Sequence, residues 1–198
     1  MENLAEMTNE VMDLMMDVEN TRVAAINLSR SVIRCTKTVI HSIHTGFEDK
    51  GSIEQMKIAF DKLLDAVDKE PFVFYGNAVE DAMMEYSEAM LFRAMVNDGP
   101  LPSYKDLEVT PQTWALGLCD CLGEMRRILL KYLMESDMDS AKRIFKCMEE
   151  LSDVIMAFDV ADAIAPLRRK QDIARGIMER SRSDMTTATI MRGLKNEY

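Results

Sequence analysis

Two glutamates lie one helical turn apart in the segment EDAMMEYSEAM, residues 80–90. On a helix of about 3.6 residues per turn, Glu85 and Glu88 project about 60° apart. The apolar residues that share this face are Ala78, Ala89, Phe92 and Val96. A carboxylate half-buried among apolar side chains is costly unless it is protonated, paired or bound to a cation. A solvated helix face is the ordinary explanation for such a pair, and this segment alone leaves it open.

A second acidic pair lies on a polar stripe in the segment WALGLCDCLGEMRRILLKY. Asp120 and Glu124 are about 40° apart on a helix and can act together. Gly117 and Gly123 flank Asp120 and leave room for another backbone or a ligand to come close. An ion pair from Glu124 to Arg127 is the alternative explanation of the second glutamate. If both helices direct their acids inward, the four carboxylates form an oxygen-rich site suited to Mg²⁺, with Mn²⁺ as the second choice.

The charge of the chain is unevenly distributed. A net charge of -10 argues against a general nucleic-acid coat protein, because phosphate attraction needs a basic surface. Residues 20–47 nevertheless carry four bases and no acid, and residues 163–183 carry six bases against two acids. The bases of these two basic islands are Arg22, Arg30, Arg34, Lys37, Arg168, Arg169, Lys170, Arg175, Arg180 and Arg182. Such segregation is what a localised phosphate-binding surface requires.

The only two histidines, His41 and His44, are spaced i, i+3 at the end of the first basic island. A di-iron bundle needs Glu-x-x-His on two helices, and neither acidic pair is followed by a histidine in this way. Contact with a phosphate or a base is therefore the favoured role for a histidine here. No pattern indicates nucleophilic catalysis by Ser or Cys, a glycine-rich phosphate loop or a dinucleotide fold.

The composition predicts an all-helical protein that functions in the cytoplasm. Gly and Pro together number only 13, and helix-forming residues dominate the chain. The first twenty residues carry six acids and no base, so they match neither a signal nor a transit peptide. No apolar run reaches the length of a membrane span, so we expect no membrane partner. The four cysteines lack CxxC spacing and are expected to be reduced.

Hydrophobic spacing and cap signals predict a single-domain antiparallel bundle of about six to seven helices over residues 1–198. The first helix is expected from about residue 4 to 43, either unbroken or as two nearly continuous helices, and to stop at Gly46. Ser52 and Gln55 predict a capping box for a second helix that ends before Pro71. The further helices are expected over 72–96 with a possible break at Gly76, over 111–135 behind a Thr110 cap, from Asp137 or Asp139 to about 163, and from Pro166 onward. Residues 97–109 are the only clear loop.

Four segments together resemble the translin family over about residues 28–187. LSRSVIRCTKTVIHSIHTGF (28–47) resembles the family's basic helix that ends in a histidine, and APLRRKQDIARGIMERSRSD (165–184) resembles its C-terminal basic helix. MEYSEA (84–89) resembles the E-Y-x-E-A segment of the catalytic Trax branch. LGLCDCLGEMRR (116–127) resembles the Trax pattern G-x-x-D-x-x-G-E-x-x-R. The acidic segment 1–27 and the tail 188–198 lie outside this resemblance.

The resemblance implies a subunit of a barrel-like oligomer, often an octamer, that encloses single-stranded RNA. In Trax-like subunits the carboxylates face the interior and cut RNA endonucleolytically with Mg²⁺, which implies catalytic and metal-binding roles for Glu85, Glu88, Asp120 and Glu124. The residues expected to bind RNA are Arg30, Arg34, Lys37, His44, Arg127, Arg168, Arg169 and Lys170. The chain is shorter than the eukaryotic Trax pattern and has no basic tail, which suggests a homo-oligomer of archaeal type.

Three functions are compatible with the sequence. The first is a Mg²⁺-dependent endoribonuclease acting on single-stranded RNA. The second is a non-catalytic, translin-like protein that binds single-stranded RNA or DNA, and it predicts loss of the four carboxylates, which this sequence retains. The third is a helical scaffold for other proteins, in which the basic islands have no ligand. Binding and cleavage measurements distinguish the three.

Overall fold

The computed structural model describes residues 3–47, 49–68 and 70–195, and within these ranges it contains seven helices and no strand. The helices are α1 (Leu4–Thr45), α2 (Lys50–Val67), α3 (Pro71–Phe74), α4 (Asn77–Val96), α5 (Pro111–Met134), α6 (Met138–Ala157) and α7 (Leu167–Lys195). The predicted all-helical fold is confirmed. In the described part of the chain, no helix combines the length and the apolar character needed to cross a lipid bilayer.

Helix α1 is unbroken over 42 residues, so of the two alternatives left open by the sequence the single long helix is the one present. It ends at Gly46, whose φ of 74° lies in the left-handed region that glycine adopts without a steric cost. The amide N–H of Gly46 donates to the carbonyl of Ile43, and that of Phe47 donates to the carbonyl of Ser42. These two bonds satisfy carbonyls that the last turn of a helix leaves unpaired.

The start of α2 differs from the prediction. Asp49 caps this helix, since its carboxylate accepts from the Gly51 amide N–H at 2.9 Å and from the Ser52 hydroxyl at 2.7 Å. The predicted capping box on Ser52 and Gln55 was wrong, because an acceptor closer to the helix start takes the free amide.

The caps of α5 and α6 follow their sequence signals. The Thr110 hydroxyl accepts from the Thr113 amide N–H, with Pro111 in the first turn, and Asp137 accepts from the Ser140 amide N–H. The predicted break at Gly76 separates α3 from α4. The predicted end of α6 near residue 163 was wrong, because the helix ends at Ala157.

Neighbouring helices joined by short connections run antiparallel, as predicted, but α4 and α5 run parallel. Gly117 of α5 lies beside Glu88 of α4. One turn or more further along both helices, Ile128 and Val96 line a common cavity. The antiparallel expectation was wrong for this pair, because residues 97–110 return along the bundle before α5 begins. Trp114 fixes this loop, because its indole N–H donates to the carbonyl of Pro102 at 3.0 Å.

Four helices therefore run in the same direction, namely α1, α4, α5 and α7. Residues at the same height along these helices can contact each other. Ala25 of α1 and Val79 of α4 line one cavity, and further along the same helices the His44 ring contacts Phe92 at 5.2 Å. The largest fully buried side chains come from α2, α4, α5 and α6 and include four methionines. They are Phe60, Phe92, Met56, Leu63, Met83, Leu91, Leu122, Met125, Leu129, Ile144, Met148 and Ile155. Burial of each contributes roughly 1.5–3 kcal/mol of transfer free energy.

Candidate functional site

A cavity of about 400 Å³ lies between α1, α4 and α5. Its lining consists of three acids, four basic residues or histidines and one apolar residue: Glu85, Glu88, Glu124, Lys37, His41, His44, Arg127 and Ile40. The structure thus brings together three of the four predicted metal ligands with three of the predicted RNA-binding residues. Asp120, the fourth acid, interacts electrostatically with Glu88 and contacts α7.

The spacing of α4 and α5 at this site depends on Gly117. A Cβ atom at this position would lie 2.6 Å from the Met84 carbonyl oxygen and 2.8 Å from the Glu88 amide nitrogen. Real Cβ atoms do not approach other atoms so closely, so only glycine fits without moving a helix backbone. The predicted close approach at Gly117 is confirmed. At Gly123 a Cβ would meet nothing within 4 Å, so that glycine is not required for helix packing.

Glu88 carries the most perturbed carboxyl group of the site. Burial and the negative charges of Asp120, Glu85 and Glu124 raise its pKa to about 8, and the opposing effect of Lys170 is smaller. In the absence of a bound cation, Glu88 is therefore largely protonated at neutral pH. The solvated-face explanation fails for this glutamate, because it is half-buried in a cavity that it shares with Glu85 and Glu124.

Glu85 is perturbed in the same direction. Burial is the main cause that raises its pKa, and the charge of Lys37 opposes it. Asp120 and Asp81 raise it further. Asp81 itself is exposed at the edge of α4. At Glu85 the effect of burial on the pKa is thus larger than the opposing effect of Lys37.

Asp120 is held by a lysine from the first turn of α7. The Lys170 ammonium donates to both carboxylate oxygens of Asp120, at 2.5 and 2.6 Å. The next residue, Gln171, fixes this turn by donating to the carbonyls of Ile155 and Phe158. Lys170 was predicted to bind RNA, and the structure instead places it on a predicted metal ligand.

Glu124 contacts two basic groups. His44 Nε2 lies 2.5 Å from one of its carboxylate oxygens, and Arg127 Nη1 lies 3.3 Å from the same oxygen. The Glu124 side chain is only 15% exposed, whereas that of Arg127 is 69% exposed. The ion pair that the sequence left open as an alternative is thus present, but the shorter contact is made by the histidine. Lys131 donates to the His44 carbonyl at 3.0 Å and fixes the end of α1 at this place.

Basic residues form one continuous stripe on α1 that leads into the cavity. Arg30, Arg34, Lys37, His41 and His44 follow each other at spacings of four and three residues, which puts them on one face of a helix. The first three side chains are exposed, and the last three residues line the cavity. The prediction of RNA-binding residues omitted His41, although its spacing from Lys37 indicates the same face.

The bases of the second basic island lie outside the lining of the cavity, although α7 contacts α5. Arg168 and Arg169 are exposed and lie outside the lining of the cavity, and Arg168 faces Asp162 at 4.0 Å. Further along α7, Asp184 and Ser181 accept from Arg126 of α5 at 2.8 Å. The second basic island is therefore only partly assembled with the first.

The four carboxylates fit a divalent cation in donor type and charge. Carboxylate oxygens are the ligands that Mg²⁺ prefers, and burial together with three neighbouring acids raises the pKa of Glu88, an effect that a bound cation would offset. Over residues 3–47, 49–68 and 70–195, however, no group of three or more Asp, Glu, His or Cys side chains has a metal-holding arrangement. Since Asp120 contacts Lys170 and Glu124 contacts His44, an ion bound by all four acids must compete with these partners.

Comparisons with known proteins agree on one family. The model of the Translin family matches residues 6–180, which extends further into α1 than the motifs quoted above. An uncharacterized protein of Methanocaldococcus jannaschii, MJ0175, is 30% identical over 185 residues, covering 90% of this chain and 81% of that protein.

Solved structures with a similar fold cover most of the chain. The AfC3PO structure has a TM-score of 0.76 at 29% identity, covering 93% of this chain and 98% of that one. A complex of AfC3PO with duplex RNA has the same TM-score at 28% identity, with 93% and 97% coverage. Apo-NeC3PO has a TM-score of 0.77 at 18% identity, covering 95% and 98%, and supports the fold alone.

Proposed function

The chain belongs to the translin family, and from this premise we propose that it is a metal-dependent endoribonuclease of the Trax-like type, active as a homo-oligomer. The observation that carries the proposal is the cavity between α1, α4 and α5, where Glu85, Glu88 and Glu124 meet the end of the basic stripe on α1. A buried cluster of like charges is unstable without a cation, and perturbed acids that line a cavity are typical of catalytic sites. A cytoplasmic location is part of the proposal.

Glu85, Glu88, Asp120 and Glu124 are the residues that would hold Mg²⁺, with Mn²⁺ as the alternative. The bound ion would supply positive charge to the scissile phosphate and activate water for attack on phosphorus. The protein's own contribution is to keep the four acids together and to orient the substrate. The second task falls to Lys37 and Arg127, which line the cavity beside the acids and can pair with phosphate oxygens.

RNA is the proposed ligand of the basic stripe on α1. The similar AfC3PO has been solved in complex with duplex RNA, and the stripe ends at the carboxylates. Lysine and arginine contacts to phosphates carry no base information, so we expect weak sequence preference and strong salt dependence. The sequence resemblance implies single-stranded RNA, and the structure of the similar complex makes duplex RNA the necessary comparison. Single-stranded DNA is a further ligand to test.

A homo-oligomer, with an octamer as the expected form, accounts for an exposed seam on α1. Leu4, Met7, Val11, Leu14 and Val18 recur at spacings of three and four residues, and the first four are 54–61% exposed. The seam lies in the N-terminal part of α1, which precedes Ala25, the first buried residue of the helix. A helix segment of this length is only marginally stable in water without a packing partner.

A second copy of the chain is the proposed partner of the seam, because charge complementarity favours it. The acids Glu6, Glu10, Asp13 and Asp17 lie along one edge of the seam, within about 60° of each other. Bases are concentrated on α7, which also exposes Ile190, Met191 and Arg192. An acidic apolar surface and a basic apolar surface on the same chain can pair head to tail between copies.

A translin-like binding protein without nuclease activity is the second candidate function, and one observation favours it. Asp120 and Glu124 are already paired with Lys170 and His44. In that case these acids would position basic side chains for RNA rather than bind a metal. The two candidates share the RNA ligand and differ in the need for a divalent ion.

The deciding experiment incubates fluorescent single-stranded and duplex RNA with the protein, with Mg²⁺ or with excess EDTA. The native chain is compared with Glu88→Gln and Asp120→Asn. We expect Mg²⁺-dependent internal cleavage by the native protein and loss of at least about two orders of magnitude in rate in each variant. Native protein that binds RNA but cuts no faster than the variants would establish the binding protein instead. Cleavage that persists in EDTA would exclude the metal mechanism.

A further inference from the structure

The contact between Lys170 and Asp120 joins a predicted RNA-binding residue to a predicted metal ligand. The two N–O distances are 2.5 and 2.6 Å, and the side chains are 26% and 28% exposed. A fully exposed ion pair contributes little to stability. The Lys170–Asp120 pair is partly buried and has two short contacts, so it is stronger than an exposed pair. The ammonium thus occupies both carboxylate oxygens that a metal ion would need.

The backbone at Lys170 is fixed by packing and hydrogen bonds, whereas its side chain is held only by its contacts with Asp120. Leu167, at the start of α7, is 3% exposed, and the Gln171 amide donates to two carbonyls at the end of α6. A lysine side chain is a flexible four-carbon stem with a compact charge at its end. Lys170 can therefore leave Asp120 by changing rotamers while α7 stays in place.

We propose that Lys170 is the resident counter-ion of the carboxylate cluster and that a divalent ion must displace it from Asp120. This inference rests on the proposed function, in which Asp120 is a metal ligand. Arg168 and Arg169 are exposed on the same turn, about 200° and 100° around the helix from Lys170, and a displaced ammonium that moves toward solvent on this turn can pair with an RNA phosphate. Lys170 thus pairs with Asp120 when no divalent ion is bound, and with an RNA phosphate when the ion occupies Asp120.

The movement of Lys170 from Asp120 to an RNA phosphate couples the binding of RNA to the binding of the divalent ion. RNA that takes up the Lys170 ammonium frees Asp120, so it raises the affinity for the divalent ion. By thermodynamic linkage, the ion raises the affinity for RNA by the same factor. Couplings of this type are typically about fivefold or larger.

The test measures Mn²⁺ binding by the electron paramagnetic resonance signal of the free ion, in the full-length protein without RNA. Lys170→Met is compared with native protein and with Arg169→Met. The control removes the same charge from the adjacent residue, whose side chain is exposed. We expect Lys170→Met to bind Mn²⁺ about fivefold or more tightly than native protein. Arg169→Met should change the affinity less, because an exposed charge is screened at physiological salt.

A second titration adds a phosphorothioate RNA that resists cleavage. The gain in Mn²⁺ affinity on adding this RNA should be larger for native protein than for Lys170→Met, since the variant has no ammonium to release. If thermal melting shows that Lys170→Met is unfolded, Lys170→Gln replaces it, because the Gln amide can still donate to Asp120 without charge.

The outcomes separate the inference from the proposed function. Equal Mn²⁺ affinity in native protein and the Lys170 variants would overturn the counter-ion role while leaving the metal site intact. An RNA-induced gain of equal size in both would overturn the coupling. Absence of Mn²⁺ binding in every variant, with native melting curves, would overturn this inference together with the metal mechanism.

Discussion

Gly117 of α5 packs against the backbone of Glu88 of α4 so closely that a Cβ atom would lie 2.8 Å from the Glu88 amide nitrogen. All four acids of the candidate site lie on these two helices. Their separation therefore depends on a residue that has no chemistry of its own. The contact explains how carboxylates from parallel helices share one small region despite their repulsion.

Replacement of Gly117 by alanine should separate α4 from α5 and destabilise the protein. An added Cβ would contact backbone atoms, which cannot move aside as the end of a side chain can, and overpacking of this kind costs about 1–3 kcal/mol. The free energy of unfolding is measured by urea denaturation. Gly123→Ala is the matched control on the same helix, because its Cβ meets nothing within 4 Å. That variant should be more stable by about 0.5–1 kcal/mol, since alanine favours helix more than glycine does. Equal effects of the two variants would contradict the packing account.

Stability without metal should fall as pH rises from about 5 to about 8. Folding raises the pKa of Glu88 from its usual 4.5 to about 8, so in this range the folded state binds more protons than the unfolded state. Under that condition the free energy of unfolding decreases with pH, by at most about 1.4 kcal/mol per pH unit for one group. Urea denaturation in EDTA at several pH values measures this slope.

Glu88→Gln is the control for the pH dependence. Its amide cannot ionise, so the variant should lose the part of the slope that Glu88 contributes and become the more stable protein near pH 8. Identical slopes for native and variant protein would show that Glu88 does not titrate in this window.

The helices were predictable because their signals are local. Gly46 ends α1, Thr110 caps α5 and Gly76 interrupts the helix that follows Pro71, and each effect depends only on residues within a turn. The start of α2 was missed because Asp49 and Ser52 compete for the same free amides, and the sequence does not show which acceptor is nearer. The parallel course of α4 and α5 was missed because it depends on a connection held by the distant contact of Trp114 with the loop.

Residue types in the site were predictable, but their partners were not. Helical periodicity and the apolar residues on the same faces predict that Glu85, Glu88, Asp120 and Glu124 point inward from two helices. The pairing of Asp120 with Lys170, however, joins residues 50 positions apart. His44 and Glu124 are 80 positions apart. Such contacts depend on helix packing, so the sequence assigned both bases to RNA.

Lys37→Ala should weaken RNA binding and reduce its salt dependence. Lys37 lies on the basic stripe of α1 at the edge of the cavity, so its removal deletes about one phosphate contact. The slope of log affinity against log salt should become shallower by about 0.7–0.9 per lost contact. Fluorescence anisotropy of labelled RNA in EDTA measures binding without cleavage.

Lys57→Ala serves as the charge-matched control for RNA binding. Lys57 is exposed on α2 and is not part of the cavity lining. Its loss should leave both the affinity and the salt slope near the native values. A control variant that loses as much affinity as Lys37→Ala would indicate general charge attraction rather than a defined path along α1.

Leu14→Asp should reduce the size of the oligomer, because Leu14 lies in the seam of α1 and is 60% exposed in the single chain. A charge in the middle of an apolar contact must lose its hydration when the contact forms, which opposes association. Asn9→Asp adds the same charge about 140° away on the helix, and its oligomer should remain native. Light scattering coupled to size-exclusion chromatography gives the mass of each species. A smaller species in the Leu14 variant alone identifies the seam as an interface between copies. Native mass in both variants would place the interface elsewhere, and a monomeric native protein would contradict the homo-oligomer itself.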